Sequence, residues 1–206
     1  MYLLCMMKKR ENRRDQLYAL AETQGGYFTA ADARELGYVY PHQHFHVKRG
    51  NWVRVDRGIF RLKHFPTTVH EDLIHWWLWS RKQGVISHES AAAIYDLGDV
   101  LPRKTHLTVP QSFRKVAPRS VILHKAQLKT TDKEKREGFG ITTPLRTILD
   151  LALGQLDPER LTLVTQDALQ KGLITGKEII NVLAEMPKKI DPATQVTLQL
   201  AVRKAG

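Results

Sequence analysis

The chain has 206 residues, of which 42% are hydrophobic and 26% charged, and its formal net charge is +11 at pH 7. These values are typical of a folded globular protein and exclude a fibrous or largely disordered chain. The excess of Lys and Arg favours a polyanionic partner such as nucleic acid, because basic side chains release counterions from phosphates.

The cysteine content and the hydropathy of the chain indicate the compartment in which we expect the protein. Cys5 is the only cysteine, which excludes an internal disulfide and a cysteine-based zinc site and is typical of a reducing compartment. We therefore expect a cytoplasmic protein. The apolar run from Leu73 to Trp79 is far shorter than the roughly 20 residues that a membrane span needs, so we expect no membrane partner.

Positive charge is concentrated near the beginning of the chain. Residues 1–66 carry 12 Lys and Arg against 6 Asp and Glu, whereas residues 67–206 carry 20 against 15. Proline and threonine interrupt the periodicity at Pro66 and Thr67, which favours a domain boundary there. The predicted organisation is a flexible N-terminus over 1–12, a first domain over 13–66 and a second over 67–206.

The first domain is predicted to begin with three helices. Apolar spacing indicates a first helix over 13–24. Thr29 is placed to cap a short second helix over 30–36, and Pro41 suits the first position of a third helix that ends near Gly50. The connection of about three to four residues between the second and third helices is typical of a helix-turn-helix.

A basic hairpin is predicted to follow the third helix. Two β-prone runs, 52–55 and 59–62, flank the glycine-containing connection over 56–58. A helix-turn-helix followed by such a wing predicts a winged helix-turn-helix that binds double-stranded DNA. The candidate DNA-binding residues are Thr29, His42, Gln43, His46, Lys48, Arg49, Arg54, Arg57 and Arg61.

The rotation of the third helix is less well determined by the sequence. Phe45 and Val47 are its apolar markers, and placing Phe45 in the core leaves His44 ambiguous. A rotation by one residue fits the pattern equally well. The first phase predicts that the exposed residues are His42, Gln43, His46 and Arg49.

Several of these residues have a simpler interpretation. His42 and His46 share a helix face and invite a metal-site interpretation together with His44. The sequence offers them neither a cysteine ligand nor a nearby acidic partner, so we expect no metal and no cofactor. A helix cap is the favoured role of Thr29, although a helix N-terminus can also contact a phosphate.

The second domain is predicted to be mixed α+β with a helical C-terminus, which makes the whole chain α+β. Strands are indicated by the β-prone composition of their residues, and helices begin at cap residues followed by proline or by apolar spacing. The predicted strands are 84–87, 105–109 and 120–124, and the predicted helices start near 87, 143, 157, 175 and 191.

No catalytic residue is predicted in the second domain. Ser87, His88 and Glu89 are adjacent, and neighbours on a helix diverge, so capping by Ser87 is favoured over a catalytic triad. Asp150 is expected to pair with Arg146 four residues earlier. The tryptophans of 76–79 are expected to anchor the core. A second basic surface, for a protein partner or flanking DNA, is proposed for Arg81, Lys82, Arg103 and Lys104.

Two groups of segments resemble the AbiEi family of antitoxins. GYFTAADARELG (26–37) and VKRGNWVRVDRGIFRL (47–62) resemble the N-terminal domain of that family. ISHESAA (86–92), HLTVP (106–110) and TTPLRTILDLA (142–152) are similar to its second region. The resemblance covers roughly residues 13–190.

The resemblance implies a bacterial antitoxin paired with a nucleotidyltransferase toxin, which it neutralises through direct contact or functionally. In such a protein the winged helix represses its own operon by binding inverted repeats near the promoter, with two copies binding cooperatively or as a dimer. The second region carries the antitoxin activity. Many relatives continue into an endonuclease-like domain, which we do not expect within these 206 residues.

The sequence also allows other functions. One alternative is a winged-helix regulator whose second domain binds a protein and has no toxin partner. A nuclease or a protein-modifying enzyme is less favoured, because the chain has no Gly-rich phosphate loop, no HExxH motif and no recognisable carboxylate cluster. We therefore expect a protein that is not an enzyme.

Overall fold

A computed structural model of the protein describes the backbone of residues 2–136, 138–186 and 189–205, and side chains from residue 12 to 204 within those ranges. The chain folds into helices and two β-sheets, which confirms the α+β class. Among the described residues, no helix combines the length and the apolar character that a membrane span requires.

The contacts of the chain divide it into two units. The first comprises residues 1–82 with 136–139, and the second comprises 83–135 with 140–206. The elements of the first unit are α1 (Tyr2–Glu22), β1 (Tyr27–Thr29), α2 (Ala30–Glu35), α3 (Tyr40–Lys48), β2 (Trp52–Asp56), β3 (Ile59–Leu62) and α4 (Glu71–Trp79).

The division between the units differs from the boundary predicted at Pro66. Helix α4 contacts β1 and β3, so it belongs to the first unit rather than to the second. Its buried residues are Ile74 and Leu78, which recur at helical spacing. The Pro-Thr segment before α4 is therefore a loop within the first unit.

Helix α1 begins eleven residues earlier than the sequence analysis predicted. It starts at Tyr2 and replaces the flexible N-terminus expected for 1–12. Its 21 residues include neither Gly nor Pro and are rich in Leu, Met, Lys, Arg and Glu, all good helix formers. Leu17 and Ala21, one helical turn apart, are buried in the core.

Two short helices and a small sheet complete the first unit. Helices α2 and α3 lie close to their predicted positions, with four residues between them. The sheet has the order β1-β3-β2 and is antiparallel. Strand β1 was not predicted. Its Phe28 is fully buried and contacts the rings of Trp52 and Phe60.

The predicted hairpin is present. Strands β2 and β3 are joined by Arg57 and Gly58, and Gly58 has a φ of +74°, a conformation that glycine adopts without strain. The two strands pair from Trp52 opposite Leu62, with an irregularity between Arg54 and Asp56.

The second unit contains a five-stranded sheet and five helices among its described residues. The strands are β4 (Val85–Ile86), β5 (Thr105–Val109), β6 (Val121–Lys125), β7 (Lys133–Arg136) and β8 (Phe139–Thr142). The helices are α5 (His88–Ile94), α6 (Pro144–Leu153), α7 (Pro158–Gln170), α8 (Gly176–Glu185) and α9 (Pro192–Ala205).

The strand order of this sheet is β6-β5-β4-β8-β7. β5 is antiparallel to β4 and parallel to β6, and β4 is also parallel to β8. Three strand residues, Ile86, Leu107 and Ile141, are fully buried. The register of β5 on β6 places His106 and His124 on the same face of the sheet.

Candidate nucleic-acid interface and a half-buried histidine cluster

Helix α3 presents a basic and aromatic side to solvent. Its sequence, YPHQHFHVK, has no acidic residue, and Arg49 follows as its C-cap. The guanidinium of Arg49 lies 5.1 Å from the centre of the Phe45 ring, within the range of a cation–π interaction. The exposed residues of this side are His42, His44, Phe45, Lys48 and Arg49.

Of the two rotations that the sequence left open for α3, the one that places Phe45 in the core is wrong. Gln43, expected in solvent, is only 6% exposed, whereas Phe45, expected in the core, is 51% exposed. The Gln43 amide nitrogen donates to the carbonyl oxygens of Tyr38 and Ala30, at 2.7 and 3.0 Å. A polar side chain can be buried when backbone acceptors satisfy it, and apolar periodicity alone does not reveal those acceptors.

His46 also lies on the inner side of α3. Its ring stacks on Trp52 at 4.6 Å, and its Nδ1 is 3.2 Å from the Asn51 side-chain nitrogen. Since an amide NH₂ can only donate, Nδ1 is the acceptor and the proton of the neutral ring sits on Nε2. Burial lowers the pKa of His46, with a smaller effect from His42. His46 therefore joins the helix to the hairpin.

The three hairpin arginines fall into two groups. Arg54 and Arg57 are exposed, as expected for phosphate contacts. Arg61 is instead held within the unit, because its guanidinium donates to the Phe65 carbonyl at 2.8 Å and lies 3.0 Å from the Glu71 carboxylate. Its side chain is 14% exposed, so its charge is neutralised inside the unit.

Thr29 acts as a helix cap. Its hydroxyl accepts from the Asp32 backbone nitrogen, while the Asp32 carboxylate accepts from the Thr29 nitrogen, which forms a capping box. Lys82 donates to the other oxygen of Asp32 at 2.7 Å. Lys82, predicted as part of a free basic surface, is thus engaged in an ion pair, and exposed Arg81 belongs to the same unit.

Two residues of this region were missed by the sequence analysis. Phe45 was assigned to the core and is exposed. Lys63 follows β3, is exposed, and places its ammonium beside Gly50 at the end of α3. Its position directly after a basic strand was the available signal. We call the exposed residues of α3, the β2–β3 hairpin and Lys63 the helix–hairpin surface.

Arg103 and Lys104, the other half of the predicted second basic surface, lie in the second unit. Both are exposed and line a cavity of about 450 Å³. Glu89, His106 and Arg160 also line it, and Arg160 lies 3.5 Å from the Glu89 carboxylate. The four predicted residues are therefore divided between the two units.

Next to this cavity the second unit assembles three histidines, which we call the histidine cluster: His88, His106 and His124. Each offers one ring nitrogen, and these three atoms lie within 4.8 Å of one another. The Nε2 of His124 is 3.1 Å from the Nδ1 of His106, and the rings of His88 and His124 stack at 3.5 Å. The sequence analysis did not predict this cluster.

Strand register explains the position of two of these histidines. Thr108 of β5 lies opposite His124 of β6. Side chains two residues apart on a strand share a face, so His106 lies on the same face as Thr108 and diagonal to His124. The residues are separated by long stretches of sequence, and only the strand pairing brings them together.

His88 joins the cluster through an unusual backbone conformation. Its φ is +51°, in the left-handed region that non-glycine residues rarely adopt. The Ser87 side chain makes no capping bond, contrary to the prediction. Its hydroxyl is 3.0 Å from the Nδ1 of His88 and accepts from the Thr108 hydroxyl at 2.8 Å. Adjacent side chains that were expected to diverge therefore meet.

The histidine cluster is uncharged at neutral pH. Burial, together with smaller effects of His124, His106 and Arg146, lowers the pKa of His88 to about 3. Burial and the neighbouring His106 likewise lower the pKa of His124 to about 4. Burial also lowers the pKa of His106, against the opposing effect of Glu89, whose carboxylate lies 3.7 Å from its Nε2.

The predicted pair of Arg146 and Asp150 is present. Arg146 donates to Asp150 at 2.8 Å and to Asp132 at 3.1 Å. Burial raises the pKa of Asp150 to about 6, while the Arg146 guanidinium lowers it in part. Asp150 is buried, and both partners lie within helix α6.

No family model matches the chain, and a comparison with curated proteins also gives no match. Among solved structures the chain is similar to the RV2827C protein from Mycobacterium tuberculosis, with a TM-score of 0.56 and 12% sequence identity. The alignment covers 95% of this chain and 78% of that chain. At this identity, the likeness concerns the fold alone.

The two sites differ in the chemistry that they offer. The helix–hairpin surface presents permanent positive charges, which suit phosphate groups. The histidine cluster presents neutral ring nitrogens with lone pairs, which suit protons or metal ions.

Proposed function

We propose that the protein binds double-stranded DNA through α3 and the β2–β3 hairpin and acts as a transcriptional repressor. The supporting observation is the set of exposed cations on these consecutive elements, namely Lys48, Arg49, Arg54 and Arg57. No acidic residue of α3 opposes them. Such a distribution favours the polyanionic backbone of a duplex.

The order of elements supports a winged helix-turn-helix as the binding domain. In that motif the second helix enters the major groove and the hairpin contacts the backbone. Helix α3 then reads the bases, with Arg49 and Lys48 suited to guanine or phosphate. Phe45, exposed and apolar, suits contact with a thymine methyl group.

The resemblance to AbiEi antitoxins supports a more specific proposal. The DNA is the inverted repeats of the protein's own promoter, and the partner is a nucleotidyltransferase toxin that the second unit neutralises, directly or functionally. The exposed Arg103 and Lys104 of the second unit are available to such a partner.

DNA binding is tested by fluorescence anisotropy with the protein's own upstream DNA and a scrambled duplex, across a salt series. We expect preference for the upstream DNA and a steep fall in affinity with salt. The double variant Lys48→Ala/Arg49→Ala should lose on the order of a hundredfold in affinity and reduce the salt slope by about two.

The matched control is Arg119→Ala/Lys177→Ala, which removes two exposed cations of the second unit. It should bind the upstream DNA like the unaltered protein. Equal weak binding to both duplexes, or equal losses in both double variants, would leave only general basicity and contradict the proposal.

The antitoxin function is tested with the full chain expressed from an unrelated promoter beside the neighbouring toxin gene. If the second unit neutralises the toxin, the Lys48→Ala/Arg49→Ala variant still restores growth although it no longer represses. Failure of that variant, with rescue by the unaltered chain, would assign the entire effect to DNA binding.

A further inference from the structure

We propose that the histidine cluster binds a divalent transition-metal ion, with Zn²⁺ or Co²⁺ as the best-suited ions. This site is independent of the DNA-binding function proposed above. The three imidazoles converge within one unit, and their ligand atoms lie within 4.8 Å of one another. Imidazole nitrogen is the ligand that these ions share.

The spacing of two of the ligands already fits. Zn–N bonds of 2.0–2.1 Å in a tetrahedral site place two nitrogens about 3.3 Å apart. The Nδ1 of His106 and the Nε2 of His124 are 3.1 Å apart. An ion between them and His88 requires the stacked rings of His88 and His124 to tilt, because an imidazole binds a metal in its own plane.

The surroundings of the cluster resemble the outer shell of a metal site. A histidine that binds a metal through one ring nitrogen usually donates a hydrogen bond from its other ring N–H to an oxygen. This hydrogen bond fixes the orientation and the tautomer of the ring. The Nδ1 of His88 has the Ser87 hydroxyl at 3.0 Å, and the Nε2 of His106 has the Glu89 carboxylate at 3.7 Å. These contacts leave the Nε2 of His88 and the Nδ1 of His106 for the ion.

The backbone conformation of His88 also suits a metal site. The left-handed backbone of His88 directs its ring toward β5 and β6 rather than along α5. Strain of this kind is retained where the surrounding structure uses it.

Three protein ligands leave one position of a tetrahedral ion open. His106 also lines the cavity that contains Arg103, Lys104 and Arg160. We assign the open position to water or to a small anion from that cavity, because its rim is rich in cations.

The experiment uses the full chain without an affinity tag, stripped of metal with a chelator and titrated with Co²⁺. We expect one equivalent to bind with the visible d–d bands of a four-coordinate ion, and Zn²⁺ to displace it. His106→Gln and His124→Gln should each weaken binding by more than about a hundredfold, since removing a ligand exceeds the effect of an outer-shell change.

The matched control is His42→Gln/His44→Gln, which removes two exposed histidines of α3 and should bind Co²⁺ unchanged. Ser87→Ala keeps all three ligands and should weaken binding by roughly tenfold to a hundredfold. Ser87→Ala decides the matter if a ligand variant fails to fold, as judged by circular dichroism. Absence of the d–d bands at millimolar Co²⁺ would overturn the proposal in favour of a metal-free hydrogen-bonded cluster. Equal Co²⁺ binding by the unaltered protein and Ser87→Ala would overturn it by placing the ion outside the histidine cluster.

Discussion

The helix–hairpin surface of the first unit and the histidine cluster of the second use polar side chains in opposite ways. Lys48, Arg49 and Arg54 extend into solvent, where charges contribute little to folding. Ser87, His88 and Thr108 hydrogen-bond to one another away from water, where losing a partner leaves a costly unsatisfied group. Binding and stability are therefore separable on the first surface and coupled in the second region.

The largest change is expected at Arg146. Arg146→Met leaves the buried Asp150 and its neighbour Asp132 without their counter-ion, which should lower the free energy of unfolding by roughly 3 kcal/mol. Chemical denaturation monitored by circular dichroism measures it. Arg160→Met, which breaks a more exposed pair with Glu89, is the control and should change stability by less than about 1 kcal/mol. Equal effects of the two variants would contradict the distinction between buried and exposed charges.

The second largest change in the free energy of unfolding is expected when the pH falls below 7. The pKa of His88 is about 3 in the folded protein and about 6.5 when unfolded, so the unfolded state binds the additional proton as pH falls below 6.5. With a chelator present, this group should reduce the free energy of unfolding by roughly 2 kcal/mol between pH 7 and pH 5.

The His88→Gln variant isolates that contribution. Asp150 acts in the opposite direction, because its folded pKa of about 6 lies above its unfolded value, and its contribution is common to both proteins. The unaltered protein should therefore lose roughly 2 kcal/mol more than His88→Gln over this range. Parallel pH profiles would show that His88 is not held neutral by burial.

An intermediate change in the free energy of unfolding is expected at Gln43, a buried polar residue of the first unit. Gln43→Leu removes the donor to the carbonyl oxygens of Ala30 and Tyr38. It should lower the free energy of unfolding by about 1–3 kcal/mol. It should also weaken DNA binding by allowing α3 to rotate. His44→Leu, an exposed position on the same helix, is the control for the stability measurement. If Gln43→Leu is as stable as His44→Leu, packing alone sets the rotation.

The smallest change in stability is expected on the hairpin. Arg54→Ala/Arg57→Ala should leave the free energy of unfolding within about 0.5 kcal/mol, because both side chains are exposed. Its affinity for DNA should fall on the order of tenfold and its salt slope by about two. Unchanged binding would remove the hairpin from the interface, and a clear loss of stability would mean that these charges are not separable from folding.

Local signals in the sequence account for the elements that were predicted well. Asp157 and Thr175 cap α7 and α8 through their side chains, as expected. Strand β5 has its predicted bounds of 105–109. Each signal lies within a few residues of the element that it marks, so it can be recognised without knowledge of the tertiary structure.

The features that were not predicted depend on contacts between residues that are distant in the chain. Strand β1 has only three residues and is defined by its pairing with β3. The hairpin of β7 and β8 was also missed, since β7 is exposed along its whole length and has no alternation. The rotation of α3 depends on carbonyls of Ala30 and Tyr38 that no hydrophobic pattern reports. The histidine cluster depends on strand register, which the sequence alone did not determine.

Gln43 has a consequence for how the proposed recognition of DNA can evolve. Its two hydrogen bonds hold α3 at one rotation from the inside, without using any outward side chain. Substitutions at His42, Phe45 or Arg49 can therefore change what the helix contacts while its orientation stays the same. Relatives that retain this glutamine can differ in target sequence while α3 keeps the same orientation. Relatives that lose it need other contacts to fix the orientation of α3.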